Sequence, residues 1–231
     1  MENLTVLIPF YNEEKTIYES VTKLISSIKL EKIILINDNS NDRSEKIALE
    51  LTLKYDFVEL ISSKDNLGKG SAVALGLKNS ESDFVIVHDA DLEYNPTDIN
   101  KIIEEIPDNQ KEKVVILGSR FIGDIKRENI YLRTFVANKL FSSLFSIFNK
   151  FKVTDVATCY KLISKDIYKN INIEKNGFDF EIEILSKALK QCTFYSEIPI
   201  NYKGRSYKEG KKIKLPDGFR YLKAILFDYR K

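Results

Sequence analysis

Short apolar runs alternate with segments of helical periodicity over residues 1–120. The runs that have the composition of buried strands are Leu4–Pro9, Lys32–Asn37, Phe57–Ser62, the run that begins at Phe84, and Val114–Arg120. Strands that alternate with helices are typical of α/β proteins, in which helices cover both faces of a mostly parallel sheet. The pattern therefore predicts this fold class, and we expect a single domain over residues 1–231.

One predicted strand stops abruptly on acidic residues. Asp89, Asp91 and Glu93 follow the run that begins at Phe84. The strand's period of two places them on one side if the chain stays extended that far. Converging carboxylates repel one another unless a cation neutralises them, and hard oxygen ligands suit Mg²⁺ or Mn²⁺, which would also hold substrate phosphates. The pattern fits a metal site or, alternatively, a solvated acidic loop.

Four consecutive strand ends carry polar side chains. These are Tyr11, Asn12 and Glu13, then Asp38 and Ser40, then Lys64 to Lys69, and finally Asp89 to Glu93. Ligands of open parallel sheets bind at the carboxyl ends of the strands, so one cleft would collect these groups, although loops are often polar by chance. Gly68 and Gly70 match neither a P-loop nor a dinucleotide fingerprint, which disfavours kinase-type and NAD-type proteins.

The second half contains a phenylalanine-rich helical segment, Tyr131–Phe151. Its wide apolar face suits a core helix, and its flanking Lys and Arg residues suit an amphipathic element in a membrane interface or along a lipid groove. The loop Gly204–Lys214 is basic. It is either a solvated surface or a segment that closes over ligand phosphates.

Composition narrows the class of protein. Lys and Arg total 36 against 34 Asp and Glu, so a uniformly basic nucleic-acid-binding surface is not indicated. Cys159 and Cys192 lie far apart, which argues against a disulfide framework or a zinc site and suggests two core residues. His88 directly precedes Asp89, and alternation along a strand would point its side chain to the opposite side. We therefore expect His88 to be packed and not catalytic.

No stretch reaches the roughly 18 to 20 apolar residues that span a bilayer, and Met1 leads directly into a strand-like run. We therefore expect a cytoplasmic protein that meets a membrane, if at all, from its surface.

Taken together, these motifs resemble glycosyltransferase family 2, which has the GT-A fold, and within it the polyprenyl-phosphate sugar transferases. The resemblance covers residues 4–215. Pro9 to Glu14 match the opening Pro-x-Tyr-Asn-Glu-Glu, which borders the nucleoside. Asp38 and Ser40 fall in an Asp-Asp-Gly-Ser segment, where Asn37 and Asn39 replace Asp and Gly. Asn66–Gly70 matches the loop before the donor-side helix.

The resemblance implies roles for particular residues. Asp89-Ala90-Asp91 matches the Asp-x-Asp that binds the metal and the donor diphosphate, and Glu93 stands where dolichyl-phosphate mannose synthases often have a further metal ligand. The residues implied to bind the nucleotide sugar are Pro9, Tyr11, Glu13, Asp38, Lys69, Asp89, Ala90, Asp91, Arg205 and Lys211.

On the acceptor side, Arg120 and Arg133 resemble arginines that are directed at phosphate. Asp155 begins a segment similar to Asp-x-x-Ser/Thr-Gly-Phe-Lys/Arg, with Cys159 in place of glycine, and Gly177–Glu181 resembles the start of the acceptor-side helix. The implied catalytic residues are Asp89, Asp91, Arg120, Arg133 and Asp155.

The implied reaction moves one hexose, with inversion, from a nucleotide-diphosphate sugar of the GDP-mannose or UDP-glucose type to a polyprenyl or dolichyl phosphate. It implies Mg²⁺ or Mn²⁺ and a membrane surface, where a membrane-spanning partner protein could supply an anchor. Residues 1–120 would bind the donor and residues 121–231 the acceptor. The segment Gln-x-x-Arg-Trp of processive synthases is missing, so one sugar should be added per encounter.

Other functions remain open. A family 2 enzyme acting on a glycan or another hydroxyl acceptor would need a base, for which Asp155 is the candidate, unless it only braces its turn. A nucleotidyltransferase would ordinarily have a Gly- and Arg-rich loop after the first strand, and that loop is missing. A catalytically silent subunit that binds sugar nucleotides is a further alternative, disfavoured by the intact Asp-x-Asp and the basic loop.

Overall fold

Seven strands form the central sheet, in the order β3-β2-β1-β4-β7-β5-β8. The computed structural model describes residues 3–109, 112–125, 127–205 and 215–227. The strands of this sheet are β1 (Leu4–Phe10), β2 (Lys32–Asn37), β3 (Val58–Ser62), β4 (Phe84–Val87), β5 (Val114–Ser119), β7 (Lys161–Ser164) and β8 (Phe194–Pro199). Two short strands, β6 (Arg127–Glu128) and β9 (Tyr202–Lys203), pair separately.

Helices connect the strands and cover the sheet. They are α1 (Ile17–Ser27), α2 (Ser44–Lys54), α3 (Lys69–Asn79), α4 (Asp98–Glu104), α5 (Leu132–Asn149), α6 (Lys165–Tyr168), α7 (Phe180–Leu189) and α8 (Leu215–Phe227). The five predicted strands correspond to β1 to β5; β2 has the predicted ends, and β1, β3 and β5 differ from the prediction by one residue at an end. The predicted helical segment Tyr131–Phe151 contains α5.

The sheet is mostly parallel, as predicted. β1 pairs in parallel with β2 and β4, β2 pairs in parallel with β3, and β5 pairs in parallel with β8. Only β7 runs antiparallel to its neighbours β4 and β5. Because β7 comes from the second half of the sequence and lies between two strands of the first, both halves share one sheet.

Alternation along the strands divides the core into two layers. In β1, Val6 and Ile8 face the layer formed with α1, α2 and α4, whereas Leu7 faces α3, α5, α7 and α8. Full burial of one such aliphatic side chain stabilises the fold by about 1.5–3 kcal/mol. Cys159 is buried and Cys192 is half-buried at the edge of the second layer, and both are free thiols.

Helix α5 has two apolar faces. Phe145 is fully buried, and the Phe141 ring stacks on Tyr221 of α8 at 5.9 Å between centroids. A separate stripe of aliphatic side chains, 56–77% exposed, recurs at helical spacing along the outer face: Leu132, Val136, Leu140 and Ile147. The phenylalanine side of this segment is therefore core, and the exposed stripe is the face to which the interfacial interpretation would apply. Among the described residues, no helix is both long and apolar enough to cross a bilayer.

Candidate functional site

The loops after β1 and β2 are tied to each other at the carboxyl edge of the sheet. The Asn12 amide N–H donates to Ser40 Oγ at 3.1 Å, and the Asn41 N–H donates to Asn12 Oδ1 at 2.8 Å. Asn39 has a φ of 58°, in the left-handed region. Asn tolerates this conformation better than most residues, which explains how it can replace the glycine of the Asp-Asp-Gly-Ser segment.

Asp38 fixes the turn that leads into α3. Its buried carboxylate accepts the Leu67 N–H at 2.9 Å and the Gly68 N–H at 2.8 Å. A Cβ on Gly68 would lie 2.4 Å from the Asn176 carbonyl oxygen, and Gly68 has a φ of 101°. Glycine is therefore required where this turn meets the loop before α7, and the contact places Lys69 at the start of α3.

The acidic residues after β4 come together through a turn. β4 ends at Val87, and Leu92 has a φ of 63°. The Glu93 N–H donates to Asp91 Oδ1 at 3.1 Å. The prediction that an extended strand with a period of two aligns the three carboxylates is therefore wrong, because a turn that begins after Val87 brings them to the cleft.

Arg205 lies at the centre of the carboxylates. Its guanidinium is 3.2 Å from Glu13 Oε2 and 3.0 Å from Asp91 Oδ2, and its backbone N–H donates to Glu93 Oε1 at 2.6 Å. The Tyr202 hydroxyl donates to the second oxygen of Glu93 at 2.5 Å. The segment 202–205 thus meets the strand exits of the first half, as predicted for Arg205. Lys211, predicted to act with it, lies outside the described residues.

The two aspartates of Asp89-Ala90-Asp91 have different electrostatic environments. Burial alone would raise the pKa of Asp89, but the Lys69 ammonium, 2.7 Å away, lowers that pKa below its usual value. Burial, with the neighbouring Glu93 and Asp89 carboxylates, raises the pKa of Asp91 to about 7. Arg205 lowers this pKa, but its guanidinium is shared with Glu13 and Glu93, so it offsets the effect of burial and of the neighbouring carboxylates only in part.

The donor set suits a hard divalent cation. Within the described ranges, no group of three His, Cys, Asp or Glu side chains is already arranged around a metal position. Glu13, Asp91 and Glu93 nonetheless surround a single guanidinium, and their carboxylate oxygens are the ligands that Mg²⁺ and Mn²⁺ prefer. The residues present therefore fit such an ion, provided that Arg205 moves from Asp91.

Arg120 and Asp155 form a buried bidentate pair beside this group. Asp155 accepts from Arg120 Nε at 2.7 Å, from a terminal guanidinium nitrogen at 2.8 Å and from the Arg120 backbone N–H at 3.0 Å. The guanidinium lies 4.9 Å from the Tyr202 ring centre, and Tyr202 in turn binds Glu93. With both oxygens of Asp155 occupied, the geometry favours the bracing role over that of a base.

The remaining predicted residues are dispersed around the cleft. Pro9 is buried within β1, Ala90 is buried in the turn, and the Tyr11 hydroxyl accepts from Asn41 Nδ2 at 3.3 Å. Arg133 is exposed in the first turn of α5, with its guanidinium 5.5 Å from the Tyr131 ring. The structure thus leaves Arg133 at the surface, whereas most of the Arg120 side chain is covered.

His88 is packed, as expected. Its Nε2 lies 3.1 Å from Ser20 Oγ, and its Nδ1 lies 2.9 Å from the Tyr160 hydroxyl. Burial lowers the pKa of His88 to about 4, although the Asp89 charge opposes that shift. It is therefore neutral at physiological pH and serves the core.

Tyr202, which contacts Glu93, was not identified from the sequence. Lys161 and Glu181, which pair with each other, lie at the ends of two segments of the resemblance, but neither was given a role of its own. Lys161 and Glu181 each lie within an apolar run, and a charge embedded in such a run requires a buried partner. That signal was available, but the sequence alone did not pair the two charges.

The sequence was compared with known proteins. A model of the family described as glycosyl transferase family 2 matches residues 5–171. The chain therefore belongs to this family, which confirms the resemblance.

Two relatives illustrate the range of similarity. The dolichol-phosphate mannosyltransferase of Pyrococcus furiosus is 27% identical over 230 residues, with 96% of this chain and 62% of that protein covered. The UDP-N-acetylglucosamine–dolichyl-phosphate N-acetylglucosaminyltransferase of Methanococcus voltae is 28% identical over 238 residues, with 96% and 94% covered. The chain thus spans less than two thirds of the length of the Pyrococcus protein.

A solved structure confirms the fold. Glucosyl-3-phosphoglycerate synthase from Mycobacterium tuberculosis, in complex with Mn²⁺, UDP-glucose and phosphoglyceric acid, superimposes with a TM-score of 0.76. The two are 16% identical, and the match covers 99% of this chain and 80% of that one. The likeness establishes the GT-A architecture.

Proposed function

We propose that this protein transfers a single hexose, with inversion, from a nucleotide-diphosphate sugar to a polyprenyl phosphate such as dolichyl phosphate. The names of both relatives include a dolichyl or dolichol phosphate, which supports this acceptor class. GDP-mannose and UDP-glucose are the first candidate donors.

The observation that carries the proposal is the position of Arg120. It is a largely buried cation, 12% exposed, braced by Asp155 and connected to the Glu93 carboxylate through Tyr202. The adjoining Phe121 ring lies 5.3 Å from Phe135 on α5, the helix with the exposed aliphatic stripe. A phosphate held by Arg120 would therefore lie between the carboxylate group and an apolar surface, which suits an acceptor with an anionic head and a lipid tail.

A divalent cation would be held by Asp91, with Glu93 or Asp89 as further carboxylate ligands. When bound, Mg²⁺ or Mn²⁺ supplies Lewis-acid stabilisation of the charge on the departing nucleoside diphosphate. We expect Arg205 to exchange the Asp91 carboxylate for donor phosphate oxygens. Lys69, which is already aimed at Asp89, supplies a second fixed positive charge at the donor side.

The transfer step needs no general base. An oxygen of the acceptor phosphate, already anionic near neutral pH, forms the new bond to the anomeric carbon, and the bond from that carbon to the donor diphosphate breaks. Arg120 orients the attacking phosphate, so that positioning supplies much of the rate enhancement. Attack from the side opposite the leaving group inverts the configuration.

The exposed stripe on α5 supports a peripheral position at a membrane surface. Leu132, Val136, Leu140 and Ile147 form it, and the exposed cations Arg133 and Lys139 flank it. An apolar face with basic neighbours is typical of helices that lie in the bilayer interface. We expect Leu140→Ser with Ile147→Ser to lower co-sedimentation with anionic vesicles, whereas Leu53→Ser on α2, at a leucine that is even more exposed, should not.

The reaction is tested with labelled nucleotide sugars, polyprenyl phosphate and Mn²⁺. We expect metal-dependent transfer of label from one nucleotide sugar to the lipid. Asp91→Asn should abolish the transfer while the protein remains folded, and the exposed Glu81→Gln serves as a carboxylate control outside the cleft. If no donor gives metal-dependent transfer or hydrolysis, the protein is a binding subunit and the proposal fails.

A further inference from the structure

Four charged side chains form a continuous chain from the core to the cleft. Lys161 Nζ lies 2.5 Å from Glu181 Oε2, and Glu181 Oε1 lies 3.1 Å from Lys69 Nζ. The same Lys69 Nζ lies 2.7 Å from Asp89 Oδ1. The charges alternate in sign, so each ammonium is placed against a carboxylate and the central carboxylate is shared by two ammonium groups.

Burial decreases in the same order. The side chains of Lys161 and Glu181 are 2% and 4% exposed, whereas those of Lys69 and Asp89 are 15% and 22% exposed. Only the Lys69 and Asp89 end therefore reaches a ligand in the cleft. Glu181 lies on α7, on the side of Lys69 that faces away from the cleft.

The two lysines of this chain of charges are each held by further contacts. Lys161 also donates to the Thr158 carbonyl oxygen. Lys69 follows Gly68, whose N–H binds Asp38, and the next residue, Gly70, donates to the Asn176 carbonyl at 2.8 Å. The backbone at Lys69 is thus held from two sides, and the direction of its long side chain is set by the carboxylates that its ammonium meets.

We infer that Glu181 is a positioning residue, which fixes the Lys69 ammonium and, through it, the Asp89 carboxylate on the donor side of the cleft. The inference rests on the proposed function, because it assigns Lys69 and Asp89 to the nucleotide-sugar site. Without Glu181, Lys69 retains Asp89 as its one carboxylate partner among the described residues, and the buried Lys161 ammonium loses the carboxylate with which it pairs. The ammonium of Lys69 then loses its fixed direction.

The test compares Glu181→Gln with the wild-type protein. We expect the dissociation constants of UDP or GDP with Mn²⁺, measured by calorimetry, and the donor KM to rise about tenfold or more, the range found for residues that orient a ligand-binding group from behind. The kcat at saturating donor should stay near the wild-type value. A purely structural role would instead lower kcat with the folded fraction and leave KM and nucleotide affinity unchanged, which would overturn the inference.

Glu183→Gln on the same helix is the matched control. Glu183 is also buried, but it accepts the Glu174 and Lys175 N–H groups and pairs with Lys187, outside the chain of four charges. Glu183→Gln should leave the nucleotide dissociation constant unchanged. An increase in that constant equal to the increase for Glu181→Gln would contradict the inference.

A double variant keeps the test valid if Glu181→Gln does not fold. Lys161→Met with Glu181→Gln removes one charge of each sign, so the protein should fold while nucleotide affinity stays low. Wild-type affinity in the double variant would mean that Glu181 only balances Lys161, and the inference would be wrong. If the wild-type protein binds neither nucleotide, the proposed function fails and the inference fails with it. If it binds and transfers normally but Glu181→Gln does so too, only the inference fails.

Discussion

Asp155→Asn separates the two roles considered for this residue. Asp155 is fully buried and receives three hydrogen bonds from Arg120, whose side chain is only 12% exposed. The amide removes the negative charge and one acceptor, which leaves the Arg120 guanidinium buried beside a neutral group. Breaking a buried ion pair at one partner typically costs about 3–5 kcal/mol.

For a chain of this size, that loss corresponds to a fall in melting temperature of roughly 6–20 °C. Urea unfolding of the variant should show a lower midpoint at an unchanged slope. Arg120→Met combined with Asp155→Asn should recover part of the stability, because no unpaired charge remains, and a double-mutant cycle should give a coupling energy of about 1 kcal/mol or more. If Asp155→Asn lowers only kcat and leaves stability within about 0.5 kcal/mol of wild type, the bracing argument is refuted.

Two further predictions concern the core and the turn before α7. The pKa of His88 is about 4 in the fold against 6.5 ordinarily, so the unfolded chain binds the proton first on acidification. The free energy of unfolding should therefore fall by up to about 3 kcal/mol from pH 6.5 to pH 4. His88→Gln should lose that part of the pH dependence. If urea unfolding gives the same change of unfolding free energy with pH for the wild-type protein and the variant, the prediction is contradicted. Gly70→Ala places a Cβ 2.0 Å from the Lys175 carbonyl oxygen and should cost about 1–3 kcal/mol, whereas Gly218→Ala, with 3.8 Å to Phe141, should not destabilise. Equal melting temperatures for the two variants would contradict this prediction, because the loop over residues 175–176 would then move aside without loss of stability.

The layered sheet was predictable because its strands are continuous apolar runs. β1, β2, β4 and β5 carry residues that are buried on both faces, so these runs stand out from the helical periodicity around them. The antiparallel β7 was not predictable in the same way. Its four residues follow a turn, and neither their length nor their composition indicates which neighbours they pair with.

The carboxylate group was found for a partly mistaken reason. Alternation pointed to Asp89, Asp91 and Glu93, but these residues lie in a turn in which Leu92 has a left-handed backbone conformation. The sequence does not indicate that turn, because a leucine and not a glycine occupies the position. Arg205 was identified from charge and resemblance, whereas its three carboxylate partners come from two separate loops, Glu13 from the loop after β1 and Asp91 and Glu93 from the loop after β4. Contacts between residues so far apart in the sequence depend on how the strands and helices pack, and a single sequence does not show that packing.

The two apolar faces of α5 illustrate the same limit. The phenylalanines drew attention to the segment, yet they occupy the core face, and the exposed stripe consists of Leu, Val and Ile. Helical periodicity fixes which residues share a face. It does not fix which face meets the sheet when both are apolar.

The most direct test of the proposed function is a competition between acceptors. The purified protein is incubated with a labelled nucleotide sugar, Mn²⁺, polyprenyl phosphate and a glycan acceptor in one mixture, and the lipid and aqueous products are separated. We predict metal-dependent label on the polyprenyl phosphate, with inverted configuration at the anomeric carbon, and loss of that label in Arg120→Met. Label on the glycan alone would contradict the assignment of a lipid phosphate acceptor.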